Sequence, residues 1–218
     1  MNKIKAIEVI RTFQGEVNIG KRILLIRFKS CNNKCSYCDT RDKLLDLLEG
    51  EYKLDDIQEI INKENRGLLI TGGEPSFDSN FDQTVELLTK LNYPFADIET
   101  NGYKLIDLYE KTKDIKNINY IFSPKLFHNG LHYQYIKECV DKIGNKLTIK
   151  VVSNYSDKIR MLDYLQFLDR LNFNQNIYLM PLGKTKKEIL EGMPEIISIA
   201  RTYGFNITTR MHLIHNLE

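Results

Sequence analysis

The feature that most constrains how this 218-residue chain can fold is a rhythm: short β-rich runs alternate with stretches of helical periodicity. Residues 21–28 (KRILLIRF), 67–70 (GLLI), 95–99 (FADIE), 120–123 (YIFS), 147–152 (LTIKVV), 177–180 (IYLM) and 205–209 predict strands. Leu54, Ile57 and Ile61 predict a helix over 54–63, and Phe81, Val85 and Leu88 one near 79–91. Another helix follows residue 152, capped by Ser156. A capping box at Thr185 and Glu188 opens a helix that runs to about Tyr203, with Gly204 as its stop and Gly192 and Pro194 kinking or splitting it. Repeated β-then-α units fold as a mainly parallel sheet with right-handed crossovers. Six or seven strands in 218 residues fall short of a closed eightfold barrel, which takes roughly 250 residues. The expected architecture is α/β, a partial, open βα barrel of about six parallel strands, in one domain over residues 1–218.

The rhythm also locates a site. The unusual residues gather after the C-terminal ends of strands: three cysteines after Phe28, TGGE after Ile70, TNG after Glu99, SPK after Phe122 and PLG after Met180. In parallel sheets and barrels that edge is where ligands bind. A net charge of +2, from 31 basic and 29 acidic residues, is too balanced to argue for nucleic acid or membrane binding. Lys3, Lys5, Glu8 and Arg11 interrupt the N-terminal segment, which therefore reads as neither signal peptide nor membrane anchor. The expected compartment is the reducing cytoplasm, where clustered cysteines are more often ligands or redox groups than disulfides.

Cys31, Cys35 and Cys38 lie in SCNNKCSYCDT, and the only other cysteine, Cys139, falls on a predicted helix with Ile136 and Val140 and reads as core. Structural zinc usually takes four protein ligands, and none of the four histidines, His128, His132, His212 and His215, is near in sequence. Asp39 could complete a site, but an unusual one. A redox pair of Cys35 and Cys38 leaves Cys31 unexplained. The reading that uses the number three is a four-iron, four-sulfur (4Fe-4S) cluster, with three thiolates on three irons and the fourth iron open to a small molecule. Zinc and plain packing remain the alternatives.

Cx3Cx2C with Tyr37 before the last cysteine resembles the signature of the radical S-adenosylmethionine superfamily. The resemblance implies that the open iron binds S-adenosylmethionine, whose reductive cleavage gives a radical that takes a hydrogen atom from the substrate. Thr71-Gly72-Gly73-Glu74-Pro75 resembles the superfamily's motif for the methionyl amine. Two glycines let a ligand approach the backbone, and Glu74 offers it a carboxylate.

Thr12-Phe13-Gln14-Gly15-Glu16, Cys38-Asp39-Thr40, TGGEP, Glu99-Thr100-Asn101-Gly102 and Ser123-Pro124-Lys125, in this order over nearly the whole chain, resemble the 7-carboxy-7-deazaguanine synthase family of queuosine and deazapurine biosynthesis. The resemblance implies a lyase that converts 6-carboxy-5,6,7,8-tetrahydropterin to 7-carboxy-7-deazaguanine with loss of ammonia, using Mg2+ as well. The residues suit that substrate: Arg27 offers a fork to its carboxylate, and Glu16 paired acceptors to its guanidine-like edge, with Gln14, Phe13 and Gly15 completing the polar side. Magnesium prefers oxygen and keeps waters, so Thr40 with the substrate carboxylate is a plausible site. By the resemblance, Thr71 touches substrate, and Tyr37, Cys38, Asp39, Gly72, Gly73, Glu74, Ser123, Pro124, Lys125, Met180, Pro181, Leu182 and Gly183 serve the cofactor. His212 either touches substrate or is structural. The family commonly reads QGEG where this chain has Val17; a β-branched residue resists positive φ, so the loop is expected to run differently here. A flavodoxin- or ferredoxin-type electron donor and a homodimer are the implied partners. The competing readings are an activase that installs a glycyl radical on a partner protein, which needs no QGE loop, and a zinc-stabilised binding module.

Overall fold

The structure is a computed structural model describing residues 2–38, 40, 46–125, 133–153 and 158–215. Asp39, His128, His132 and Ser156 lie outside these residues.

Eight strands form one sheet. In chain order they are β2 (Glu8–Phe13), β3 (Arg22–Phe28), β5 (Gly67–Gly72), β6 (Ala96–Thr100), β7 (Ile118–Phe122), β8 (Leu147–Ser153), β9 (Ile177–Pro181) and β10 (Asn206–Ile207). Their spatial order is β10-β9-β8-β7-β6-β5-β3-β2. Every pairing is parallel except β2 with β3, so seven parallel strands carry one antiparallel edge strand, and the ladder does not close. This is the expected open βα barrel, one strand larger on the parallel side and with an added edge. Not foreseen from the sequence are β2 and a separate two-stranded sheet of β1 (Lys3–Ala6) and β4 (Gly50–Lys53). All three are short and charge-interrupted, so none has the apolar run that marks a buried strand.

The helices are α1 (Leu54–Glu64), α2 (Asp78–Lys90), α3 (Leu105–Thr112), α4 (Tyr133–Ile143), α5 (Lys158–Asp169), α6 (Lys186–Tyr203) and α7 (Met211–His215). Leu54, Ile57 and Ile61 are the buried stripe of α1. The Thr185–Glu188 capping box is formed at the start of α6, and Gly204 ends it at φ 68°. The helix is not split: α6 runs 18 residues with Pro194 inside it. Pro194 is on the solvent side, where the carbonyl its ring deprives of a partner can meet water. Gly192 breaks nothing either: α6 crosses Pro181 there, and a Cβ would come within 3.0 Å of the proline ring.

Strand alternation sorts the residues to two faces. Along β5, Leu68 and Ile70 belong to the core with Leu87 and Leu88 of α2, while Leu69 and Thr71 line the barrel interior. Along β8, Leu147, Ile149 and Val151 are core, and Lys150 and Val152 face the interior. The helix side thus holds the main apolar core, and the inner face mixes polar residues such as Thr71 and Lys150 with apolar ones such as Leu69 and Val152.

Candidate active site

The inner face opens into a cavity of about 620 Å3 at the C-terminal ends of the strands. Its cysteine end is built by docking one loop on another. The TGGEP turn follows β5, and its Gly73 and Glu74 amides donate to the Phe28 and Ser30 carbonyls at the start of the cysteine loop, both at 2.8 Å. Asn80 of α2 donates to the Ser30 and Glu74 carbonyls at 2.9 and 2.8 Å and clips the two together. The close approach explains the two glycines. A Cβ at Gly73 would stand 2.0 Å from the Ser30 oxygen; one at Gly72, whose φ is +113°, would stand 2.4 Å from the Phe28 oxygen. What needs the missing Cβ is the cysteine strand's backbone, a demand additional to the ligand approach expected from sequence.

Glu74 also differs from its expected posture. Its carboxylate is buried and accepts from the Ser76 amide (2.9 Å) and hydroxyl (2.7 Å), the Thr100 hydroxyl (2.6 Å) and the Asn101 amide (2.5 Å). Burial nevertheless pushes its pKa up. These four donors make Glu74 the tie between the TGGEP and ETNG turns. Asn101, so held, reaches the cysteine loop: its Nδ2 donates to Asn32 Oδ1 at 2.8 Å and lies 3.9 Å from Cys31 Sγ.

Cys31, Cys35 and Cys38 all line the cavity, as do Tyr37, Thr40, Gly72, Gly73, Glu74, Ser123 and Lys125. All three thiols are unbridged. Burial pushes Cys31 up to about 11 and raises Cys35, the latter opposed by the charge of Lys125. The Lys125 ammonium donates to the Ser123 hydroxyl at 2.9 Å, and the Thr40 hydroxyl is 3.3 Å from Cys38 Sγ. Cys139 is fully buried in the apolar core, as expected. The donor set fits an iron–sulfur cluster with one open position: three soft thiols on one wall of a cavity with room beside them. The zinc alternative turns on Asp39, which lies outside the described residues.

The other end of the cavity is charged. Glu16 is ion-paired with Lys150, which also reaches Glu99 at 3.2 Å, and Arg210 Nε lies 3.7 Å from Glu16 on the far side. The Thr71 hydroxyl donates to Glu99 at 3.0 Å. Burial works to raise the Glu16 carboxyl, but the charges of Lys150 and Arg210 outweigh it and hold it at about 2. Burial also pushes Glu99 up, against Lys150 and with the Glu16 charge adding to it. Lys150, despite burial, is held protonated by the two carboxylates.

The Glu16 loop is fixed from below. Gln14 Nε2 donates to Asp97 at 2.9 Å, and its Oε1 accepts from the Glu16 amide at 3.2 Å, so both ends of the Gln14 amide are engaged within the protein. Val17 is buried, and the positive φ falls instead at Asn18 (61°), whose side chain also bonds Asp97. From above, the Met211 amide donates to the Gly15 carbonyl at 2.9 Å, and the Thr208 hydroxyl donates to the Glu16 carbonyl. Phe13, Gly15, Thr71 and His212 line the cavity beside Glu16. Arg27 lines it too, with its Nε held at 2.6 Å by Glu8, its cross-strand partner. Of Met180 and Pro181 at the end of β9 and Leu182 and Gly183 after it, only Met180 lines the cavity, and the Gly183 carbonyl accepts from Arg210. Pro124 is buried outside the lining.

Sequence reasoning misses Lys150 and Arg210 and leaves Glu99 without a role. The signal for Lys150 is present in LTIKVV: a lysine within a strand buried on both faces requires a charged partner.

The fold and this site together define an iron–sulfur radical enzyme: residues 25–191 match the Radical SAM superfamily, and the chain belongs to it. Its relatives narrow the comparison. It is 28% identical over 181 residues to the 7-carboxy-7-deazaguanine synthase of Haemophilus influenzae, covering 80% of this chain and 74% of that one. It is 29% identical over 216 residues to the 7-carboxy-7-deazaguanine synthase of Aquifex aeolicus, covering 97% and 93%. The crystal structure of QueE from Escherichia coli shares the fold, with a TM-score of 0.60 at 20% identity over 96% of this chain and 95% of that one. No helix among the described residues is long and apolar enough to cross a membrane.

Proposed function

We propose that the chain converts 6-carboxy-5,6,7,8-tetrahydropterin to 7-carboxy-7-deazaguanine with loss of ammonia. The observation that carries this reading is the pairing of two unlike ends in one cavity: three cysteines at one and the Glu16, Lys150, Glu99 and Arg210 charges at the other. A buried set of fixed charges suits a small polar ring, whereas a polypeptide substrate calls for an open channel. Cys31, Cys35 and Cys38 would hold the cluster. With S-adenosylmethionine bound, the cluster supplies the electron for a cleavage whose radical product takes a hydrogen atom from the substrate. Gly72, Gly73, Ser123, Lys125 and Met180 are the residues of the wall against which that cofactor would lie. Arg27, aligned by Glu8, would meet the substrate carboxylate through its remaining N–H groups. Thr40 would give Mg2+ its one protein oxygen, and Thr40→Val should then blunt the magnesium response while leaving iron content unchanged. A strongly reducing flavodoxin- or ferredoxin-type donor, a homodimer and a cytoplasmic location complete the reading.

The test is anaerobic reconstitution followed by incubation with 6-carboxy-5,6,7,8-tetrahydropterin, S-adenosylmethionine, Mg2+ and reductant. The expected result is 7-carboxy-7-deazaguanine by mass. A protein with full cluster that cleaves S-adenosylmethionine but never forms this product would refute the reading and favour an activase, recognised by a glycyl radical on a partner protein.

A further inference from the structure

Lys150 projects from the middle of β8 into the cavity, is 5% exposed, and touches the only two carboxylates at the charged end among the described residues. An ammonium has three N–H donors, and Glu16 and Glu99 account for two. If Lys150 only neutralised Glu16, Glu99 would be superfluous, since Arg210 already stands on the other side of Glu16. The second carboxylate makes sense as an anchor. Held by Glu99, which is itself held by Thr71, Lys150 stays in place when the oxygens of Glu16 turn to a ligand. The result is a fixed carboxylate and a fixed ammonium, side by side on one wall.

We propose that Lys150 is a specificity-determining residue that donates to a ring carbonyl, so that Glu16 and Lys150 together read an edge with two N–H donors beside a C=O. The inference rests on the pterin reading above and deepens it. The 2-amino-3-NH-4-oxo edge of a pterin has that order: the amino group and ring N–H face the carboxylate, and the 4-oxo group faces the ammonium. A 2,4-diaminopteridine keeps the 2-amino donor, but its N3 carries no hydrogen for Glu16 and its second amino group meets Lys150, donor against donor. A buried site built around hydrogen bonds rejects an analogue that leaves its groups unpaired far more strongly than a shape-based pocket does. The wall is also rigid enough to discriminate. The Glu16 backbone is bonded by Gln14 and Thr208, and Lys150 lies within a strand paired on both sides.

The experiment measures binding of two fluorescent rings, 6-carboxypterin and its 2,4-diamino counterpart, to the reconstituted full chain with S-adenosylmethionine present. Wild type is expected to prefer the oxo ring by about 100-fold. Lys150→Met should reduce that preference to less than about 10-fold, by weakening the oxo ring rather than the diamino one. Lys150→Arg, which keeps a charged donor, should restore part of it. Lys150→Met leaves Glu99 without its cation, so the double variant Lys150→Met/Glu99→Gln carries the same comparison if the single variant does not fold. A folded Lys150→Met protein, or the double variant, that prefers the oxo ring as strongly as wild type overturns this inference and leaves the pterin reading standing. A wild-type protein that binds neither ring overturns the pterin reading and this inference with it.

Discussion

Glu16 is a single carboxylate under opposing demands. Burial would raise its pKa, and Lys150 and Arg210 hold it at about 2 instead of the ordinary 4.5. The unfolded chain therefore takes up this proton first as acid is added. The stability contributed by ionised Glu16 is fully present above pH 4.5 and is lost as pH falls to about 2. Glu99 acts in the opposite sense: its raised pKa makes ionisation costly in the folded state, and acid relieves that cost. In urea denaturation across this window, wild type should lose stability more steeply than Glu16→Gln; equal slopes would place the titration on another group. Glu74 poses a different test. Removing its carboxylate in Glu74→Ala leaves the Ser76 and Asn101 amides and the Thr100 hydroxyl without their buried acceptor. At about 1–3 kcal/mol for each unsatisfied group, the expected loss is about 3 kcal/mol or more, read as a lower denaturation midpoint. A loss below about 1 kcal/mol would mean that water replaces the carboxylate.

At the scale of elements, the decisive contact is the turn after β5 lying on the strand end of β3. Gly73→Ala would force a methyl group into the Ser30 carbonyl, which is backbone and cannot turn aside. The expected outcome is about 1–3 kcal/mol of lost stability together with reduced iron uptake on reconstitution, because the displaced neighbour is the root of the cysteine loop. Normal iron content in a folded Gly73→Ala protein would show that the loop does not depend on this seat. The same elements show what a sequence reveals. The strands β3, β5, β7, β8 and β9 were legible because burial on both faces writes a mostly apolar run into each of them. The site's rim was legible because turn residues and thiols have no place within a strand. β1, β2 and β4 were not, since an exposed or edge strand needs no such run. Nor was the partnership of Glu16 with Lys150, which are 134 residues apart and meet only because β8 faces inward beneath the QGE loop. Arg210 was hidden for the same reason: nothing local tells a buried arginine from a surface one. Pro194 does not split its helix because it lies on the solvent side, where water can meet the carbonyl its ring leaves unpaired.

For the whole molecule, the sheet separates stability from chemistry. The apolar core, with Cys139 in it, lies under the helices, and Cys31, Cys35 and Cys38 lie on the cavity side. Replacing these three with alanine should abolish iron binding while changing the denaturation midpoint of the metal-free protein by less than about 1 kcal/mol. Cys139→Ala should do the reverse, keeping iron uptake and losing stability. A metal-free triple variant that fails to fold would contradict this division. The ladder itself ends at β2 and β10, which never pair. The gap is spanned instead by Thr208 on Glu16, across 192 residues of chain, by Met211 on Gly15, and by Arg210 between Glu16 and Gly183. A ribosome makes these partners in a fixed order. The cysteines, the TGGEP turn and Lys150 are all made before Thr208, so the growing chain owns both ends of the cavity long before the residues that grip the QGE loop. Until residue 211 has been added, the QGE loop lacks the Thr208, Arg210 and Met211 contacts that close the gap between the two ends of the sheet.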